Sequence, residues 1–292
     1  MTDPPGSYRR WILAARPRTL AAAAVPVAVG AALVRPAPVN GFNVALCLVV
    51  ALTLQVATNF ANDFSDGVRG TDGQRVGPFR LTASGLVPPE TVRAVALGTF
   101  AVASLAGLWL ASRTSWWLVL IGASALLAGW FYTGGPKPYG YMGLGELFVF
   151  VYFGFVATVG TAYAAHGVIL ARAWWLGGAV GAMACALLEA NNLRDEAGDR
   201  AVGKKTLAAR VGRTRGGWLY VGCVAAVVVG AIGARQLLVA IAALAIYSPP
   251  VRYALSRRTG GELIVLLKYS ARAQLLVGVL ATFLLAGNFY LT

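Results

Sequence analysis

The sequence predicts an all-α, polytopic membrane protein, and three observations lead to that fold class. Of the 292 residues, 58% are hydrophobic and only 12% are charged, whereas a soluble domain is nearer half apolar and a quarter charged. The apolar residues form nine stretches, each near the length of about 20 residues that a helix needs to cross a bilayer. Basic residues alternate between crowded and sparse connections along the chain. In so apolar a chain, the net charge of +14 favours a membrane protein with basic loops over a nucleic-acid-binding protein.

Taken in order, the apolar stretches predict nine transmembrane helices in a single domain covering residues 1–292. The boundary between the seventh and eighth helices, around Arg235, is the least distinct. The predicted spans are 19–35, 41–61, 91–112, 115–132, 143–165, 173–192, 217–234, 236–255 and 270–291.

The basic residues predict the orientation of these helices. With the N-terminus in the cytoplasm, 21 of the 25 Lys and Arg residues lie on the cytoplasmic side and 4 on the other side. This asymmetry is what the positive-inside rule describes. We therefore expect a multi-pass protein of the cell membrane whose N-terminus is cytoplasmic.

The acidic residues are few, and six of the eleven lie in two short windows at the predicted cytoplasmic ends of the second and sixth spans. The first window spans residues 59–72 and the second spans residues 191–207. Polar residues of the first window stand at i, i+3, i+4 and i+7, which is one face of a helix: Asn59, Asn62, Asp63 and Asp66. Those of the second window stand at i, i+4 and i+8: Asn191, Asp195 and Asp199.

Two acidic stripes facing each other at membrane depth would repel one another and are costly there. A hard divalent cation with oxygen ligands removes that repulsion, and Mg²⁺ is the usual ion where phosphate is the partner. We therefore expect the seven stripe residues to be metal ligands, most simply for two Mg²⁺ ions. The basic residues beside the stripes are candidates for contacts with a phosphate-bearing ligand: Arg69, Arg75, Arg80, Arg200, Lys204 and Lys205.

With these paired motifs the chain resembles the UbiA-type family of intramembrane aromatic prenyltransferases, which carry two Asp-rich motifs in a nine-helix bundle. Position 70, where many members have a third aspartate, is Gly here, and the next acid is Asp72. The segments 15–19 (ARPRT), 132–136 (YTGGP) and 191–195 (NNLRD) resemble the menaquinone branch of the family, which prenylates 1,4-dihydroxy-2-naphthoate.

The resemblance implies an enzyme that transfers a polyprenyl group from polyprenyl diphosphate to 1,4-dihydroxy-2-naphthoate. Diphosphate and CO₂ would be released, and the active site would face the cytoplasm. It assigns catalysis to four aspartates, Asp63, Asp66, Asp195 and Asp199. It also places Lys137 and Tyr139 near the diphosphate, together with Arg69, Arg80, Arg200, Lys204 and Lys205, although the residues around Lys137 alone are typical of a rigid turn.

Several alternatives stay open on the sequence alone. The acceptor could be another aromatic acid such as 4-hydroxybenzoate, and the acids could belong to a transporter. The start of a CDP-alcohol phosphotransferase motif at Asp63–Gly67 lacks its continuation, because positions 70 and 71 are Gly and Thr. The roles of Asp72 and of Glu189, which lies just before the second window, are left undecided.

Overall fold

The computed structural model describes residues 6–71 and 79–288, and within those ranges the regular secondary structure is all helical, with no β-strand. Asp72 and Arg75 of the sequence analysis lie outside the described residues.

The N-terminal half consists of a short surface helix followed by longer apolar helices. A 3₁₀ turn at Pro17–Thr19 joins the first two helices, so that residues 7–33 form one apolar unit. The helices are α1 (Ser7–Ala15), α2 (Leu20–Leu33), α3 (Gly41–Val68), α4 (Pro89–Arg113) and α5 (Trp117–Phe131).

The C-terminal half begins with a 3₁₀ turn at Tyr139–Met142. One continuous helical segment, Gly145–His166, is then built from α6 (Gly145–Val149), a π-helical stretch (Phe150–Val159) and α7 (Gly160–His166). The remaining helices are α8 (Ala171–Ala201), α9 (Leu207–Gly233), α10 (Leu237–Leu255) and, after a 3₁₀ turn at Gly260–Leu263, α11 (Ile264–Ala286).

Eight helical units in the described part of the chain are long and apolar enough to cross a membrane. The predicted span 115–132 corresponds to α5, which has only 15 residues. At 1.5 Å per residue α5 is about 22 Å long, short of the roughly 30 Å hydrocarbon core. The chain leaves the helix there because Gly134, Gly135 and Pro136 follow.

Two helices extend well beyond their apolar stretches, and these carry the acidic windows. The second predicted span stops at residue 61 but α3 continues to Val68, and the sixth stops at residue 192 but α8 continues to Ala201. Both acidic stripes therefore lie on helix ends, as the spacing predicts. The seventh span begins ten residues before its predicted start, at Leu207, but Gly212 has a non-helical backbone (φ 82°, ψ 169°) that divides the helix.

Helix α8 lies at the centre of the bundle, and its most apolar stretch is 78% buried inside the protein. Its glycines allow close packing against the π-helical stretch. A Cβ on Gly181 would stand 2.7 Å from the carbonyl oxygen of Phe150, and one on Gly154 would stand 2.6 Å from that of Gly177. Small residues at helix contacts are the usual way for membrane helices to pack. This packing fixes the position of the second acidic window on α8.

Candidate active site

The end of α3 and the segment that follows α8 meet at one end of the bundle, and Asp66 is the residue of α3 at which they meet. Its side chain is buried, with 2% of the residue exposed. Lys204, which follows α8, places Nζ 3.5 Å from Asp66 Oδ2, and Arg80 places Nη2 3.5 Å from the same oxygen. The fold thus brings Asp66 of the first window into contact with Lys204 of the second, 138 positions further along the chain.

Tyr141 connects this cluster to the loop that follows α5. Its hydroxyl donates a hydrogen bond of 2.6 Å to Asp66 Oδ1 and lies 3.2 Å from the hydroxyl of Thr71. Lys204 Nζ stands 4.5 Å from the ring centroid and the guanidinium carbon of Arg69 stands 5.7 Å from it, so the ring interacts with cations. Burial, followed by the nearby Asp66 carboxylate, raises the pKa of Tyr141. The hydroxyl therefore remains a donor at neutral pH.

Asp63 has both carboxylate oxygens engaged by the backbone. Oδ2 accepts from the N–H of Leu81 at 2.8 Å and Oδ1 accepts from the N–H of Thr82 at 2.9 Å. These bonds hold the turn after Arg80 against α3 and so place the Arg80 side chain beside Asp66. The geometry gives Asp63 a supporting function, and its predicted function as a metal ligand stays a prediction.

The two asparagines of the first window join it to other segments named in the sequence analysis. Asn59 Nδ2 donates to the carbonyl oxygen of Ala15 at 2.9 Å and to the hydroxyl of Thr19 at 3.2 Å. Asn62 Oδ1 accepts from the hydroxyl of Thr133 at 2.7 Å. The segments 15–19 and 132–136 thus pack directly on the first acidic window, although the sequence does not show which side chains make the contacts.

In the second window, Asp195 is held by the neighbouring Arg194. Arg194 is 4% exposed, and its Nε and Nη2 donate to Oδ1 and Oδ2 of Asp195, both at 2.7 Å. Nη2 also donates to Asn191 Oδ1 at 2.8 Å. The carbonyl oxygen of Asp199 accepts from the N–H of Lys204 at 2.8 Å, which turns the chain so that Lys204 reaches Asp66. The window is therefore a pre-ordered set of oxygen atoms with a buried counter-charge.

The loop after α5 is attached to the second window as well as to the first. The N–H of Lys205 donates to the carbonyl oxygen of Tyr141 at 2.9 Å. Arg210 donates through Nη2 to the carbonyl oxygen of Met142 at 2.8 Å and through Nε to that of Lys205 at 3.0 Å. The loop containing Tyr139–Met142 thus bridges the two acidic windows.

The other predicted ligand-binding side chains take varied positions. Arg69 donates to the carbonyl oxygens of Thr133 and Gly135, so it anchors the same loop. Arg200 is paired with Glu196 and donates to the carbonyl oxygen of Ala209 at 3.0 Å.

Three further candidates complete the comparison. Lys137 and Lys205 are exposed. Tyr139 donates its hydroxyl to the carbonyl oxygen of Ala128 at 2.8 Å. For these three residues and for Arg69 and Arg200, contact with a ligand stays a prediction.

The chemistry of the site suits a hard cation, although a closed metal cage is not formed. Within residues 6–71 and 79–288, no group of three or more His, Cys, Asp or Glu side chains lies close enough to hold a metal ion. The available donors are oxygens of Asp66, Asn191, Asp195 and Asp199, which Mg²⁺ prefers. Because Asp66 and Asp195 already have cationic partners, metal binding would rearrange these ion pairs. These oxygen donors fit Mg²⁺, provided that Asp66 and Asp195 exchange their ion-pair partners for the metal.

Sequence reasoning missed Tyr141 and Glu146, and it named Glu189 without giving it a role. Three tyrosines lie in the loop after α5, and their spacing does not single out Tyr141. Glu146 Oε1 accepts from Asn192 Nδ2 at 2.8 Å and so ties α6 to α8. Glu189 is 1% exposed, and a Cβ on Gly216 would stand 3.0 Å from its Oε1, which places it between α8 and α9.

Comparison with known proteins gives concordant matches in sequence and in fold. The profile of the UbiA prenyltransferase family matches residues 23–262. The 1,4-dihydroxy-2-naphthoate octaprenyltransferase of Mycobacterium tuberculosis is 46% identical over 225 residues, which cover 75% of each chain. That of Escherichia coli is 33% identical over 210 residues, or 69% of this chain and 68% of the relative. The solved structure of a UbiA homolog from Archaeoglobus fulgidus bound to DMAPP and Mg²⁺ superposes with a TM-score of 0.66 at 15% identity, covering 95% and 99% of the two chains.

Proposed function

The chain belongs to the UbiA prenyltransferase family, and we propose that it transfers a polyprenyl group from polyprenyl diphosphate to 1,4-dihydroxy-2-naphthoate. The observation that carries the proposal is the convergence of Arg80 and Lys204 on the buried Asp66. That cluster joins both acidic windows and offers cations and carboxylates together, as a metal-bound diphosphate requires. The acceptor is chosen because the relatives with 33–46% identity are named for it.

The cations would serve the leaving group. Arg80 and Lys204 are buried, each no more than 8% exposed, so their hydrogen bonds to a phosphate oxygen would form in a medium of low dielectric constant and be strong. Arg69 would act indirectly, since its bonds to Thr133 and Gly135 hold the loop in place. Two Mg²⁺ ions, when bound, would neutralise the negative charge that develops on the departing diphosphate.

The carboxylates would hold these ions. Asp66, Asp195 and Asp199 are the proposed ligands, with Asn191 adding a carboxamide oxygen. Arg194 holds the Asp195 carboxylate in place through two charge-assisted hydrogen bonds. Asp63 accepts a hydrogen bond from the N–H of Leu81 and so keeps the neighbouring Arg80 in position. Its effect on the reaction would therefore be indirect, through Arg80.

The proposed reaction balances without an external proton. The bond between the allylic carbon and the diphosphate oxygen breaks, and the electron-rich ring carbon that bears the carboxylate forms the new C–C bond. The carboxylate then leaves as CO₂, and its bonding pair restores the aromatic ring. The starting carboxylate and prenyl diphosphate carry the same total charge as the released diphosphate, so the product is the neutral quinol.

We further propose that the whole of residues 1–292 is one domain with nine spans and a cytoplasmic N-terminus in the cell membrane. Within the described ranges the helical segments follow the order of the nine predicted spans, α5 being the short one. The sequence assigns 21 of the 25 basic residues to the same side as the acidic windows, and this asymmetry supports the proposed orientation. Accessibility labelling of cysteines introduced at Gly6 and Gly167 in intact cells tests it, because these positions should lie on opposite sides.

The reaction itself is tested with purified protein in nanodiscs, given a labelled polyprenyl diphosphate and one aromatic acid at a time. Prenylated naphthoquinol with one CO₂ per turnover, dependent on Mg²⁺ and abolished by chelation, is the expected result. Prenylated 4-hydroxybenzoate that retains its carboxyl group would instead assign the chain to that acceptor. Failure to release diphosphate with either acid would refute the proposed substrates.

A further inference from the structure

A pocket of about 490 Å³, lined by both polar and apolar residues, lies at the end of the bundle opposite the acidic windows. It is enclosed by the connection after α2, the first turn of α3, the last turn of α4 and the end of α7. The side chains that matter here are Asn40, Asn43, Arg113, Tyr163 and His166. None of them belongs to the proposed active site.

The hydrogen-bond acceptors around Asn43 are satisfied within the pocket itself. Asn43 is 4% exposed, and its Nδ2 donates to the carbonyl oxygen of Ala164 at 2.9 Å. Its Oδ1 accepts from Arg113 Nε at 3.0 Å. Both the nitrogen and the oxygen of the Asn43 carboxamide are therefore hydrogen-bonded, and the bond to the oxygen fixes the direction of the Arg113 side chain.

The hydrogen-bond acceptors contributed by the connection after α2 and by the end of α7 also have partners within the protein. The carbonyl oxygen of Ala165 accepts from the N–H of Asn40 at 2.9 Å, and Asn40 Oδ1 accepts from the N–H of Asn43 at 3.1 Å. The carbonyl oxygen of Pro38 lies 3.1 Å from Nδ1 of His166. These contacts occupy the hydrogen-bond acceptors of the pocket wall, while several hydrogen-bond donors of the pocket have no partner among the described residues.

The remaining donors point to an anion. In the described part of the chain, the two terminal nitrogens of Arg113, the amide nitrogen of Asn40 and the hydroxyl of Tyr163 have no hydrogen-bond partner. A pocket with spare donors and a fixed guanidinium matches a ligand that carries only acceptors, and phosphate is a ligand of that kind that guanidinium can bind through two hydrogen bonds.

The surroundings are positively charged as well. All the acidic residues that the structure describes lie at the opposite end of the bundle, or on the halves of their helices nearer to that end. The basic residues near this end are Arg35, Arg113, Arg172 and Arg235. Among the residues that the structure describes, no carboxylate lies near this end to repel an anion.

The position of Arg113 selects a lipid as the source of the phosphate. Its guanidinium carbon stands 4.9 Å from the ring centroid of Phe42, which packs against Trp109 with centroids 5.1 Å apart. Phe42 and Trp109 are 45% and 55% exposed on the outside of the bundle. Exposed Trp side chains such as that of Trp109 are enriched at the level of the lipid headgroups. The fixed guanidinium therefore stands where lipid phosphates lie.

From these contacts we propose that the pocket binds the phosphate group of an anionic phospholipid, with Arg113 as the main contact and Asn40 and Tyr163 as further donors. The lipid would tie the start of α3 to the ends of α4 and α7. The proposal is independent of the reaction at the opposite end.

The test is lipid binding to the purified full-length protein, measured by native mass spectrometry after titration with dioleoylphosphatidylglycerol or dioleoylphosphatidylcholine. Arg113→Gln removes the charge but can still donate to Asn43, and Arg35→Gln removes a charge of the same end outside the pocket. We expect phosphatidylglycerol to bind more tightly than phosphatidylcholine, and Arg113→Gln to weaken it about tenfold. Arg35→Gln should change it less than twofold. If Arg113→Gln does not yield folded protein, Tyr163→Phe should weaken binding by a factor of about 3.

Two outcomes would overturn the proposal. One is equal binding of the two lipids, or equal loss in the Arg113 and Arg35 variants. The other is binding of inorganic phosphate at millimolar concentration in the absence of lipid, if that binding is lost in Arg113→Gln. Such a result would identify a site for the free ion rather than for a lipid.

Discussion

Replacing Tyr141 with Phe removes one hydroxyl group from the centre of the proposed active site and changes nothing else in shape. That hydroxyl makes the 2.6 Å hydrogen bond to Asp66. A hydrogen bond to a charged group contributes about 1.5–3 kcal/mol. If Asp66 must keep its orientation in the transition state, the loss of that energy lowers kcat/KM by a factor of about 10 to 150.

The assay is prenyl transfer by purified protein in nanodiscs, with substrate and Mg²⁺ titrated separately. Tyr139→Phe is the matched control, because Tyr139 lies in the same 3₁₀ turn but donates its hydroxyl to the carbonyl oxygen of Ala128 rather than to a carboxylate. We expect the control to lose less than fivefold, in line with about 1 kcal/mol for a neutral hydrogen bond. Equal losses in the two variants, with unchanged Mg²⁺ dependence in both, would refute the idea that Tyr141 orients a metal-binding aspartate.

Three further outcomes are expected. Asp66→Ala and Asp195→Ala should abolish turnover, since metal ligands act as a unit, while both variants still insert into the membrane; near-normal product formation by either would exclude that residue as a ligand. Lys204→Met should lower kcat/KM at least tenfold and Lys205→Met less than threefold, because only Lys204 is buried beside Asp66; a reversed order would place the ligand on the exposed side. Because the pKa of Tyr141 is raised above its usual value near 10, its hydroxyl stays protonated from pH 6 to 9, and Tyr141→Phe should keep the shape of the wild-type pH profile over that range.

Hydropathy was sufficient to predict the long helices, because span length is a property of a single segment, whereas the short helix α1 before the first predicted span was missed. The predicted acidic stripes also lie on helix ends, since their spacing is a local property of α3 and α8. The weak point was α5, where the apolar stretch 115–132 is longer than the helix Trp117–Phe131 that forms from it.

The partners of the site residues could not be read in this way. Asp63 and Asp66 are three residues apart, yet one accepts backbone N–H groups and the other accepts from Tyr141. Which tyrosine reaches Asp66 depends on the turn at Tyr139–Met142 and on its attachment to Lys205. These are contacts between segments distant in sequence, and neither periodicity nor composition records them.

The ion pairs at Asp66 have a consequence for the order in which ligands bind. A buried charge without a partner costs several kcal/mol, and Asp66, Arg80 and Lys204 are each at most 8% exposed. A diphosphate without metal would draw Arg80 and Lys204 away and leave Asp66 uncompensated. Metal without diphosphate would displace the two cations and leave them without an anion. A metal-bound diphosphate supplies positive and negative charge together. Asp66 can then exchange its cationic side chains for the metal while Arg80 and Lys204 exchange Asp66 for the diphosphate. Metal and diphosphate should therefore each raise the affinity of the protein for the other, by as much as the cost of one unpaired charge.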